Sequence, residues 1–207
     1  MGKNVFTVIC LIIISLLIIA GCSREAKITK LKNVEKFDFY SKGRLDNVLI
    51  VGKPRVEKNR KNFEDHFSRT LKRRGTDAIP SYKIISDIQN LNRGNIKDAA
   101  VKVQAGAVLA TRVVGVDNKD VTMPQKTRVD IYTSARGGTV MMGPFIEGPY
   151  VENVTMVRLE TGLFETNTEK MIWKASSKIL NPDTVNEAIK DFSKAILNQL
   201  QQDGYVR

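Results

Sequence analysis

Apolar and polar positions repeat with changing periods along the chain, and these periods predict alternating strands and helices. Residues 48–51, Val-Leu-Ile-Val, form a continuous apolar run between turn residues, which is typical of a strand buried on both faces. Residues 57–74 then place Phe63, Phe67 and Leu71 on one helical stripe, and Gly75 ends the helix. The chain therefore begins its folded part with a strand and a helix.

The following segments continue this alternation. Residues 78–85 predict a second strand, and Pro80 within it indicates a sheet edge, since proline cannot donate to a ladder. Residues 95–105 predict a second helix, and residues 107–116 a third, strongly apolar strand. The order strand, helix, strand, helix, strand favours parallel pairing through right-handed crossovers.

The last third of the chain changes to antiparallel pairing. Residues 154–165 and 171–180 both alternate with period 2, and the short linker 166–170 predicts a hairpin. The apolar faces of this hairpin hold Val157, Leu159, Leu163, Met171, Trp173, Ala175 and Ile179. A final helix carries the stripe Val185, Ile189, Phe192, Ile196 and Leu200, with Thr184 and Glu187 as a capping box and Gly204 at its end. The predicted fold is α/β, a mixed α+β sheet of about five core strands with three helices.

Residues 117–151 interrupt this pattern with a segment rich in glycine and proline. We expect a long loop or an irregular hairpin that leaves the sheet, because long loops in compact domains usually carry binding residues. Its candidate partner-binding residues are Met141, Met142, Phe145, Ile146 and Tyr150. Flexible methionine and aromatic side chains suit an adaptable interface. The alternative is a hairpin folded over its own sheet that buries these residues internally.

The amino terminus predicts an export signal. Lys3 precedes the apolar residues 5–20, which fall short of the roughly 20 residues that a membrane-spanning helix needs. The ending Ile19-Ala20-Gly21-Cys22 resembles a bacterial lipobox, and this resemblance implies a diacylglyceryl group on the Cys22 thiol, cleavage before it and acylation of the new amino terminus. The alternatives are an ordinary signal cut after Ala20 or Gly21, and an uncut anchor.

These features divide the chain into a signal peptide at 1–21, a lipidated tether at 22–44 and a single mixed α/β domain at 45–207. The tether is basic between residues 23 and 36, which favours contact with an anionic leaflet. Ser23 follows the cysteine where enterobacterial lipoproteins retained at the inner membrane carry aspartate. We therefore expect anchoring through the lipid on Cys22 at the outer membrane, facing the periplasm.

The composition limits the classes of partner that we expect for the chain. The chain has 207 residues, a formal charge of +11 and two cysteines, of which Cys10 leaves with the signal. No cysteine then remains for a disulfide. In the envelope, a basic surface meets phospholipid head groups, lipopolysaccharide and cell-wall polymer, so we expect no nucleic acid partner. A solvated basic surface without a particular partner is the alternative.

The sequence offers little for catalysis. His66 is the only histidine, it lies at the border of the first helical stripe, and no Gly-x-Ser-x-Gly elbow accompanies it. One histidine without a free cysteine cannot supply a tetrahedral metal site. The carboxylate pairs Asp117 with Asp120 and Glu160 with Glu165 are common turn and strand residues. We therefore expect no catalytic residue, metal or cofactor.

The order of three segments along the chain resembles that in a group of envelope proteins. These segments are residues 48–52, 106–111 and 168–173. This group includes the amino-terminal domain of TolB, the curli secretion-channel lipoprotein and the lipoprotein activator of penicillin-binding proteins. The resemblance spans roughly residues 45–203 and implies a non-catalytic binding or assembly module for a periplasmic protein or peptidoglycan. Thr168-Glu169-Lys170 stands where such hairpins often read Thr-Gly-Lys. The alternatives are a subunit of an outer-membrane export channel and an enzyme acting on an envelope polymer.

Overall fold

The computed structural model describes residues 29–37, 43–54, 56–123, 126–128, 131–133, 139–141 and 145–207. The signal peptide and Cys22 lie outside these residues. Within the described ranges, the chain forms a mixed sheet of six strands with three α-helices, which confirms the predicted α+β class.

The main sheet has the strand order β1-β10-β9-β4-β2-β3, and its strands are β1 (Thr29–Lys36), β2 (Asn47–Lys53), β3 (Asp77–Pro80), β4 (Ala107–Met123), β9 (Tyr150–Glu165) and β10 (Met171–Leu180). Two short ladders pair β5 (Lys126–Arg128) with β8 (Phe145–Glu147) and β6 (Ile131–Thr133) with β7 (Thr139–Met141). The helices are α1 (Glu57–Arg73), α2 (Arg93–Lys102) and α3 (Val185–Gln202). Two 3-10 turns, Ser81–Lys83 and Ile88–Asn90, connect β3 to α2.

Strand β2 lies inside the sheet and is buried on both faces, as its apolar run predicts. It pairs in parallel with β3 and β4, which confirms the predicted parallel pairing. Val48 and Ile50 face the larger core, against α1 and α3, whereas Leu49 and Val51 face a smaller core against α2. The two layers of helices therefore follow directly from the residues of one strand.

The larger core is built around three aromatic rings. The ring centroids of Phe63 and Phe67 on α1 lie 4.5 Å apart, and Phe192 of α3 lies 6.1 Å from the first and 5.8 Å from the second. Trp173 is fully buried below them in the same cluster, and its indole nitrogen donates to Asp203 at 2.8 Å. The predicted helical stripes thus meet over the sheet.

Two predicted strand ends are wrong. β3 stops at Pro80, because the chain turns into a 3-10 helix at Ser81 instead of continuing to residue 85. β4 continues past Val116 to Met123, because β9 pairs with it along this whole length. Pro80 does lie at the sheet edge, as predicted.

The assignment of residues 29–36 to the tether is also wrong, because β1 pairs antiparallel with β10 as the edge strand of the sheet. Leu31 and Val34 both pack against the core. They are three residues apart, so a regular strand would place them on opposite faces. Asn33 has a φ of 49° within a register shift between Lys32 and Glu35, and this irregularity brings both side chains to one face.

A second irregularity changes which residue of β10 joins the core. The register of β10 with β9 shifts between Met171 and Trp173, and Ile172 joins Trp173 in the buried core. Met171, predicted on the same face as Trp173, instead lines a groove with Phe164. The bulge explains the exchange, since one extra residue reverses the faces of the residues before it.

Candidate functional site

Several features of the molecule meet at one end of the main sheet, which we call the entry end. β1 begins there at Thr29, opposite Ile179 of β10, and Ile179 opposes Val157 of β9, which opposes Val116 of β4. This row is the first four-stranded row that the chain reaches after Cys22. The starts of α1 and α3 lie at the same end, because they line one groove with these strands.

A two-stranded ribbon also leaves the sheet at the entry end. β4 and β9 stay paired from Asp117 and Met156 out to Met123 and Tyr150, about 20 Å for the six residue pairs beyond the sheet. Lys126 then opposes Glu147, three residues further along each strand, so β5 and β8 continue the same register. The described strands between residues 117 and 151 are therefore paired as a hairpin.

The predicted partner-binding residues lie along this hairpin. Tyr150 opposes Met123 at its base and is half-buried. Ile146 opposes Thr127, Phe145 opposes Arg128 and Met141 opposes Ile131. Met142 lies outside the described residues. The described candidates therefore all lie on the returning side of the hairpin, in β7, β8 and β9.

An apolar groove of about 350 Å³ opens between the starts of α1 and α3, over β4 and β9. Its floor consists of buried or partly buried side chains: Phe63, Val113, Val157, Leu159, Ile179 and Phe192. Its rim carries three exposed valines, Val56 (53%), Val116 (48%) and Val185 (51%). Thr184 fixes the start of α3, since its hydroxyl accepts from the Glu187 backbone N–H at 3.1 Å.

The opposite face of the sheet, besides the smaller core under α2, carries charged side chains. Ion pairs join Arg112 to Glu160 at 2.6 Å, Lys174 to Glu35 at 2.9 Å and Arg158 to Asp117 at 3.0 Å. Next to the entry end, Lys30, Lys178 and Arg158 oppose one another on three adjacent strands. Like charges directly opposite each other destabilise a sheet, so this basic row favours an anionic surface beside it.

A buried polar cluster anchors the start of α1. Arg60 and Glu64 are fully buried on the helix, and the Glu64 carboxylate accepts from Arg60 Nε at 3.0 Å, Ser81 Oγ at 2.8 Å and the backbone N–H groups of Gly52 at 2.9 Å and Tyr82 at 2.8 Å. Burial raises the pKa of Glu64, and the hydrogen bonds and the Arg60 charge oppose that shift only in part. The cluster joins α1 to the carboxyl end of β2 and to the turn after β3, which is a structural role.

His66, the only histidine, is half-buried on α1. Burial lowers the pKa of its imidazole, and the charges of Arg69, Arg73 and Lys190 lower it further. Among the described residues, no group of three His, Cys, Asp or Glu side chains is placed to hold a metal ion. The same part of the chain contains no helix with the length and apolar character needed to cross a bilayer.

Neither the groove nor the basic row was predicted from the sequence. Val56 is the N-cap residue of α1 and Val185 is the first residue of α3, and single exposed apolar residues are common on protein surfaces. Lys30 and Lys178 are 148 positions apart and meet only because β1 pairs with β10. The basic row therefore depends on a strand pairing that the sequence pattern did not predict.

The fold defined here is a mixed α/β domain with a projecting hairpin. No family model and no curated protein matches the chain. Among solved structures, the PelC dodecamer from Paraburkholderia phytofirmans matches at 11% identity and a TM-score of 0.46, covering 87% of this chain and 100% of PelC. Lipoprotein GNA1162 from Neisseria meningitidis matches at 15% identity and a TM-score of 0.39, and the match covers 75% of this chain and 98% of the GNA1162 chain. Likenesses at this level establish no family and give no argument about function.

Proposed function

We propose that the chain is a non-catalytic envelope lipoprotein, anchored by lipid on Cys22, whose α/β domain binds or assembles with a periplasmic protein or a peptidoglycan partner. The observation that carries the proposal is the ending Ile19-Ala20-Gly21-Cys22 after an apolar run of export-signal length. Only six residues separate Cys22 from the start of β1 at Thr29. The domain then stays close to its anchor.

The anchor limits how far the domain can lie from the membrane. Seven residue steps of extended chain reach at most about 24 Å, so the entry end of the sheet lies within that distance of the anchor. The basic row of Lys30, Lys178 and Arg158 lies beside that end. Each basic residue near an anionic leaflet adds on the order of 1 kcal/mol of binding, which supports a position close to the membrane.

The hairpin at 117–151 is the proposed contact with the partner. It extends past the last four-stranded row, and Val151 near its base is 67% exposed. A ribbon with two open edges also offers backbone groups for pairing with an added strand. Recognition through this hairpin leaves the sheet and its two cores unchanged.

Metabolic labelling with palmitate tests the anchor. We expect Cys22→Ala to abolish the label and to leave a precursor that retains residues 1–21. Cys10→Ala is the matched control, because it changes the other cysteine of the same signal and keeps both labelling and cleavage. A labelled Cys22→Ala chain would contradict the proposal. Density separation of the two membranes then tests placement in the outer one.

One observation favours the second candidate, a subunit of an outer-membrane export channel. The ribbon of β4 and β9 leaves the sheet at the entry end, on the same side as the proposed anchor. Purified channel subunits would assemble into a uniform oligomer and give stepwise conductance in a planar bilayer. A protein that binds its partner and produces no conductance excludes this candidate.

A further inference from the structure

We propose that the apolar groove between α1 and α3 binds a fatty-acyl chain, and that this chain is one of those carried by Cys22 of the same molecule. The inference rests on the proposed function, since it requires lipid on Cys22. It goes further in giving the lipid a binding site on the domain. The observations are the chemistry of the groove and the place where the chain enters the sheet.

The groove has the chemistry of a site for a hydrocarbon. Its volume of about 350 Å³ lies in the range of ligand sites, and Phe63, Leu159, Ile179 and Phe192 form its apolar floor. Half of the six large hydrophobic residues that stand exposed in the described structure, Val56, Val116 and Val185, lie on its rim. Clustered exposure of this kind marks a binding surface, whereas single exposed apolar residues need no explanation.

The path of the chain indicates which lipid occupies the groove. Thr29 opposes Ile179, and Ile179 lines the groove. Cys22 precedes Thr29 by seven residues, so its lipid is tethered within about 30 Å of the groove once the spacing between paired strands is added. A short flexible tether gives an attached ligand an effective concentration in the millimolar range.

Occupation of the groove is compatible with stable anchoring. A lipobox cysteine carries two acyl chains on its glyceryl group and one on its amino group, and two chains suffice for stable attachment. One chain in the groove therefore leaves two for the bilayer.

Photo-crosslinking of the full-length protein in cells tests the site. Cells are fed a fatty acid that carries a diazirine, irradiated, and the purified protein is digested with trypsin. We expect the cross-linked protein to migrate as a single chain before digestion. After digestion, we expect the probe on Cys22 to be joined to the groove, mainly to the tryptic peptide 179–190. Cross-links from Cys22 that map elsewhere overturn the inference. So does a groove modified only by phospholipid, because the occupant is then a membrane lipid.

A charge on the rim provides the second readout. Val185→Asp should lower the groove cross-link by roughly tenfold, because a carboxylate resists burial beside hydrocarbon. The variant should fold, since Val185 is exposed and aspartate is favourable in the first turn of a helix. Val101→Asp, at an exposed valine on α2 that does not line the groove, is the matched control and should leave the yield unchanged. An undiminished cross-link in Val185→Asp contradicts the inference.

Failure of the inference and failure of the proposed function are distinguishable in this experiment. A chain without any probe on Cys22 contradicts the proposed function and the inference together. A chain that carries the probe on Cys22 but gives no cross-link to the groove keeps the proposed function and overturns the inference alone.

Discussion

Replacing Arg60 by methionine tests the buried cluster that holds α1 against the sheet. Arg60 is fully buried, and besides Glu64 its guanidinium donates to Ser81 Oγ at 3.1 Å and to the Ile85 carbonyl at 2.8 Å. Methionine fills much of the same volume but leaves the Glu64 carboxylate without its charged partner. Breaking a buried ion pair by removing one partner costs about 3–5 kcal/mol. We expect a loss of this size in the free energy of unfolding at pH 8.

The loss depends on pH in a defined direction. Burial raises the pKa of Glu64 in the folded protein, so this group stabilises the fold below its ordinary pKa and loses that contribution as the pH rises through the raised value. Without the charge of Arg60 the pKa of Glu64 rises further, because that charge lowers it in the native protein. The protonated acid carries no charge, so Arg60→Met should cost less at pH 5 than at pH 8.

Urea titrations of the chain from residue 23 onward measure this effect. The single tryptophan, Trp173, is fully buried and reports unfolding by its fluorescence. Arg69→Met, an exposed arginine on the same helix, is the matched control and should change stability by less than about 0.5 kcal/mol. A cost of less than about 1 kcal/mol for Arg60→Met at pH 8, or an equal cost at both pH values, would refute the reasoning.

Two further variants test the packing. Phe192→Ala should lower the free energy of unfolding by about 3–5 kcal/mol, because Phe192 is 1% exposed and packs against two aromatic rings; a urea titration that gives less than about 1 kcal/mol shows that α3 is not packed in this way. Gly52→Ala should cost about 1–3 kcal/mol, because the added Cβ would lie 2.7 Å from Cδ1 of Phe63; an unchanged melting temperature contradicts this close approach.

Much of the fold follows from the sequence because its strongest patterns are regular. The apolar run of β2, the stripes of α1 and α3, and the alternation of β9 and β10 each match one period over several residues. Pro80 marks the sheet edge by its missing donor, and Gly204, with a φ of 84°, ends α3 as predicted.

The remaining features depend on irregular backbone or on distant pairing. β1 was missed because the shift around Asn33 breaks the alternation of its two apolar residues. The charged pair on the buried side of α1 was missed because Arg60 and Glu64 resemble a solvated i, i+4 pair in sequence. The feature of the sequence that could have indicated their burial is their position, one helical turn apart and beside Phe63 and Phe67.

Deletion of residues 126–149 most directly tests the claim that the hairpin carries partner recognition. The deleted segment is replaced by a short Gly and Ser linker, and the variant is crosslinked in whole cells beside the parent protein. The account predicts an unchanged melting temperature and loss of the protein partner that the parent captures, because the main sheet and both cores lie outside the deleted segment. Capture of the same partner by the shortened chain, or collapse of its stability, would contradict the account.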